Sequence, residues 1–197
     1  MDEELRVVTE RLRAEAAASG VPDAPASHDR LAATGDREEL AAVLTEPGQP
    51  LWARELAAFR LGTAGDRRAF ESLVLLLNHR DPPRCAAAAR ALARLGDPRT
   101  ARAAAALATN ELRVAYALHP VRLLVELRAP EAVPALITTL ERRLRPHDPH
   151  RRVALACVEG LGDLGDGRAK PVLNDALAHP ALAEAAVRAL ARIPGQR

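Results

Sequence analysis

"ARALARLGDPRTA", Ala89–Ala101, reads as the end of one helix, a break, and the start of another, and "VRALARIPGQR", Val187–Arg197, writes much of it again. The break recurs as "TGDRE" (34–38), "AGDRR" (64–68), "LGDPR" (95–99), "RAPEA" (128–132) and "LGDGR" (164–168). Taking Asp36, Asp66, Asp97, Ala129 and Asp166 as equivalent, the intervals are 30, 31, 32 and 37 residues, and a cut-off copy places Gly195 a further 29 on. A fixed period of this size means one supersecondary part used several times.

The break has a physical reading. Glycine ends a helix in the left-handed conformation that other residues adopt only with strain, and the following aspartate caps the next helix by accepting a free N–H. Pro98 and Pro130 then stand at the first helical position, where a missing N–H costs nothing. Counted from the break, apolar residues fall at +7, +10 and +11: Leu73, Leu76, Leu77; Ala104, Leu107, Ala108; Leu136 and Leu140, with Thr139 between them; Leu173, Ala176, Leu177. That spacing lines one face of a helix. The alternate stretches, Leu51–Gly62, Pro83–Leu95, Glu111–Leu127, Arg151–Leu164 and Ala181–Ile193, are amphipathic too. A hairpin of two such helices buries its apolar face only by stacking on its neighbours.

The words "ALARLGDPRTA" and "APEAVPALITTL" resemble the HEAT repeat, in particular the short bacterial type found in phycobilin lyase subunits and many adaptor proteins. The resemblance covers residues 29–197 and implies an all-α fold, an α-solenoid wound as a right-handed superhelix of about five hairpins. Composition agrees: 48% of the 197 residues are hydrophobic but only 2% aromatic, so the core is built from Ala, Leu and Val. Ahead of the array, residues 1–19 read as an amphipathic helix, from Asp2 to Ser19 with Leu5, Val8, Leu12 and Ala16 on one face, and residues 20–28 as a turn-rich linker. The helix is expected to cap the first repeat, the alternative being a detachable partner-binding element.

Charge excludes some functions and leaves others open. The chain carries 28 basic and 26 acidic residues, and all basic residues but Lys170 are arginine. A net +2 does not announce nucleic acid. Residues 1–48 hold 11 acidic and 5 basic residues, net −6, against 15 and 23, net +8, in residues 49–197. Two cysteines, Cys85 and Cys157, are too few for a disulfide framework and fit a reducing compartment. With no signal peptide or membrane-length apolar run, the expectation is a cytoplasmic protein, monomeric, without cofactor or metal.

In similar HEAT arrays the second helix of each hairpin lines the concave surface. Carried onto this chain, positions +2, +5, +9 and +12 or +13 give a floor of small residues with charges at its edges. The candidate partner-binding residues are Arg68, Glu71, Arg99, Arg102, Arg142, Arg145, Arg168 and Asp175. Arginine presented this way pairs with carboxylates of a bound helix or peptide. The expected function is a non-catalytic scaffold or adaptor for a protein partner. Two alternatives are nucleic-acid binding through these arginines and an accessory lyase or isomerase role. The first lacks stacking aromatics and is interrupted by Glu71, Glu131 and Asp175; the second rests on fold analogy.

Three local departures remain. "ERRLRPHDPHRR" (141–152) accounts for the long interval, and its His147, Asp148 and His150 match no strong metal spacing, so a proline turn or a recognition loop is expected. His119–Pro120 is expected to kink the helix 111–127. Lys170 stands where other copies hold Phe70, Ala101 and Val133, and is expected to snorkel from the core edge.

Overall fold

The computed structural model describes residues 3–194, and no strand occurs among them. Asp2 and Gly195, named above, lie outside the described residues. The chain is all-α. The first six helices are α1 (Glu3–Ala18), α2 (Ala24–Ala33), α3 (Arg37–Thr45), α4 (Leu51–Thr63), α5 (Phe70–Leu77) and α6 (Pro82–Leu95). They are followed by α7 (Arg99–Ala108), α8 (Leu118–Leu127), α9 (Ala132–Arg143), α10 (Arg151–Leu164), α11 (Lys170–Ala176) and α12 (Ala183–Arg192). None is long and apolar enough to cross a membrane. The helices form two compact units, divided after Asp97.

In the first unit α4 is central, packed on α1, α2, α3, α5 and α6. In the second, α8, α10 and α12 form one layer and α7, α9 and α11 the other. Hairpins therefore stack within each unit, as the repeat requires.

Most breaks behave as the sequence dictates, but Pro98 and Pro130 stand ahead of α7 and α9, which begin at Arg99 and Ala132, instead of at their first helical positions. Gly65, Gly96 and Gly165 take φ of 76, 64 and 70°. Asp36, Asp66 and Asp166 accept the N–H two residues ahead, at 2.8, 3.1 and 2.9 Å. At the fourth break Arg128 adopts φ 50° without a glycine, a conformation that disfavours a side chain by about 1 kcal/mol. At the first, α2 ends on Thr34 in extended conformation, so Gly35 needs no positive φ.

The apolar positions are the core. Leu73, Leu77, Leu136, Leu140 and Leu173 are fully buried. Thr139, the polar residue in this series, is buried as well, and its hydroxyl donates to Ala135 O at 2.8 Å and Ala108 O at 3.2 Å. Leu177, one residue past the end of α11, is partly exposed, at 38%. Trp52, Phe59 and Phe70 are all buried. Cys85 and Cys157 are buried and in no disulfide, and burial pushes the Cys157 thiol up to about 12. Since only the thiolate is nucleophilic, iodoacetamide at pH 8 is expected to leave Cys157 unmodified in the folded chain and to alkylate it in denaturant. Intact-mass measurement checks this, and rapid labelling without denaturant would show that α10 opens.

Three further sequence readings change. The segment read as a linker is largely helical: α2 begins at Ala24, with Pro25 in its first turn, where proline starts a helix instead of breaking one. Its His28 is fully buried beside Trp52, ring centroids 5.8 Å apart. Second, residues 111–127 are not one kinked helix. Asn110 accepts the N–H of Leu112 and starts a 3-10 turn, Glu111–Tyr116, and α8 begins only at Leu118, which puts Pro120 in its first turn with no lost hydrogen bond. Third, Lys170 does not merely reach water: its Nζ donates to Pro194 O at 3.0 Å, tying α11 to the residue beyond α12.

Candidate functional site

Several candidate arginines are already engaged within their own unit. Arg68 forks onto Asp66, Nη2 to Oδ2 at 2.7 Å, and its Nη1 reaches both oxygens of Glu38 at 2.8 and 2.9 Å. These bonds raise the Arg68 pKa and hold the Asp66 carboxyl below its ordinary range. The same fork recurs at Arg168 and Asp166, 2.7 Å, again lowering the aspartate. Arg142 donates to Thr109 O at 2.7 Å and pairs with Glu111 at 3.1 Å, fixing α9 against the end of α7. Arginine at +2 is thus partly a capping accessory: it grips the aspartate that starts its own helix.

The rest of the candidate set is more open. Glu71 and Arg99 are exposed, on α5 and at the start of α7. Arg102 on α7 and Asp175 on α11 are exposed and form no ion pair among the described residues. In the second unit α7 adjoins α9 and α9 adjoins α11. On the same helices Ala106 of α7 and Pro134 of α9 are exposed and Thr138 of α9 is half-exposed. Arg145 is exposed on the loop after α9, away from the regular positions.

One polar cluster escapes the periodic reading. Glu55, in the middle of the apolar α4, has a side chain only 2% exposed. Its two oxygens accept from Arg11 of α1 and Arg84 of α6. Arg84 also binds Glu15 and lies 3.3 Å from Asp81, while Arg11 pairs with Glu15 at 2.8 Å. Burial works against the charge of Arg11, but the two glutamates more than offset it, so its pKa is raised. Around this network α1 buries Val8, Leu12 and Ala16. The only trace of it in the sequence is a lone glutamate between apolar neighbours in "LWARELAAF".

The hairpin of α10 and α11 decides the family resemblance: residues 153–179 match the model of the PBS lyase HEAT-like repeat. The chain thus contains a HEAT-like repeat. The matched span runs from the first turn of α10 to just beyond α11, and the HEAT-like hairpin of α4 and α5 shares its Gly-Asp break and its Asp-Arg fork. No curated protein matches the chain.

Proposed function

We propose that this HEAT-like repeat protein is a non-catalytic scaffold, and that the α7–α9–α11 face of the second unit holds a segment of a partner protein. What supports this is a pair of exposed charges without ion partners among the described residues, Arg102 on α7 and Asp175 on α11, on the two helices that flank α9, together with the small surface residues Ala106, Pro134 and Thr138 of α7 and α9. Small side chains permit close approach, and opposite charges at the two ends give the bound segment a direction. At about 8–10 Å per helix spacing the face measures roughly 16–20 Å, the span of about six extended residues. The complementary segment carries a carboxylate where it meets α7 and a cation where it meets α11.

The test is capture of partners from a native, nuclease-treated extract by the full chain, by Arg102→Glu and by Asp175→Arg. A charge-assisted hydrogen bond contributes about 1.5–3 kcal/mol, so each reversal is expected to lower capture of the same protein by about ten-fold or more with thermal stability unchanged. Equal capture by all three chains would rule this face out as the binding surface. Loss of recovery on nuclease treatment would favour the nucleic-acid alternative.

A further inference from the structure

The loop that lengthens the fourth interval builds a second feature, separate from the α7–α9–α11 face and independent of the scaffold reading. Between this loop, the first turn of α10 and the segment 179–182 lies a cleft of about 150 Å³. Arg143, Arg145, His147, Asp148, Arg151 and His179 line it. Three guanidiniums and two imidazoles therefore face one carboxylate. That carboxylate is already committed: Asp148 Oδ1 accepts the N–H of His150 at 2.8 Å, and Oδ2 pairs with Arg143 Nη1 at 3.0 Å.

The floor of the cleft is constructed rather than incidental. The Arg143 side chain is only 8% exposed, and its Nε is buried with no hydrogen-bond acceptor. Burying such a donor unpaired is unfavourable, so the Arg143 guanidinium keeps an unsatisfied N–H at the cleft. Arg151 is held across the cleft by donation from Nη2 to Ala181 O at 3.4 Å. No side chain caps α10, a helix of 14 residues, so its positive end adds to the same field.

We propose that this cleft binds a phosphate monoester, with the phosphoryl group over Arg143 and Arg145 and Arg151 at its sides. The size is compatible: a cleft of about 150 Å³ has room for a phosphoryl group with its ester oxygen. The charge fits as well, because three guanidiniums less one carboxylate leave a formal +2 to meet a dianion. A carboxylate uses one guanidinium fork, whereas three guanidiniums around one point match a tetrahedral oxyanion.

The test is a titration of the full chain, followed by backbone amide NMR, with phenyl phosphate, inorganic phosphate, and a phosphoserine peptide beside its unphosphorylated form. Saturable shifts confined to residues 143–154 and 179–182 are expected. Arg145→Ala and Arg151→Ala, both exposed and checked for retained helicity by circular dichroism, are each expected to weaken binding about ten-fold, and Arg122→Ala, exposed on α8, to leave it unchanged. Preference for the phosphopeptide assigns the group to a modified protein side chain, and preference for phenyl phosphate assigns it to a small metabolite. Absence of saturable shifts at these residues up to about 10 mM ligand, or equal weakening by Arg122→Ala, overturns the proposal.

Discussion

Replacing Glu55 by alanine is expected to cost about 3–5 kcal/mol, because it leaves the guanidinium of Arg84 buried without its principal counter-charge. The Arg84 side chain is 10% exposed, so water cannot replace the lost carboxylate, and Asp81 at 3.3 Å and Glu15 offer only part of the compensation. A whole domain is stable by about 5–15 kcal/mol, so this loss brings the first unit close to unfolding at room temperature. The companion variant separates charge from packing. Glu55→Leu combined with Arg84→Leu removes both ions, and it is expected to recover most of the lost stability, since desolvating a buried pair consumes much of what its attraction supplies. Urea unfolding followed by circular dichroism, with hydrogen exchange of the α4 amides, reads both effects. A cost below about 1 kcal/mol for Glu55→Ala would mean that the cluster is solvated like a surface ion pair.

The same network bears on the first helix. Deleting residues 1–19 removes Arg11 and Glu15 and uncovers the surface on which Val8, Leu12 and Ala16 are packed. A cap predicts a fall in stability at least as large as that of Glu55→Ala. A detachable partner-binding helix predicts nearly none.

What the sequence disclosed, and what it hid, follows from where the determinants lie. Helix order and the positions of the breaks are local properties: Asp66 and Asp166 cap their helices through atoms two residues away, and a period near 30 residues announces itself in any window. The apolar face at +7, +10 and +11 is local too. The Glu55 network is not. Arg11 and Arg84 are 44 and 29 residues from it, and nothing in the periodicity pairs them. Pro25 and Pro120 misled for a different reason, since proline is compatible with a first turn and incompatible with an interior, and the pattern alone does not say where a helix starts. Among the candidate site residues, composition counted Arg68, Arg142 and Arg168 as available. Whether an arginine is available depends on carboxylates and carbonyls that folding brings to it, such as Glu38 from 30 residues away.

Substituting valine for Gly162 is expected to cost about 3 kcal/mol and to loosen α12 from α10. Gly162 is buried where these helices touch, and a Cβ built on it lies 2.7 Å from the Cα and 2.8 Å from the Cβ of Ala189. Since the nearest obstacle is backbone, no rotamer change relieves it and the helices themselves must part. Overpacking of this kind costs about 1–3 kcal/mol, and a β-branched side chain in the middle of a helix adds to it. Alanine at the same site sets two effects against each other: it gains about 0.5–1 kcal/mol of helix propensity over glycine but still meets Ala189, so a smaller net loss is expected. Gly62, four residues before its break as Gly162 is before its own, gives the comparison in the first unit. There the nearest atom is Leu73 Cδ1 at 2.6 Å, the end of a flexible side chain, with Ala91 Cβ at 3.2 Å. Gly62→Ala is therefore expected to be tolerated better than Gly162→Ala, by about 1 kcal/mol. At about 2–4 °C per kcal/mol for a chain of this length, Gly162→Val lowers the melting temperature by roughly 6–12 °C. Hydrogen exchange should place the lost protection in α10 and α12, while a uniform loss across both units would show that the contact between these two helices is not where the strain is felt.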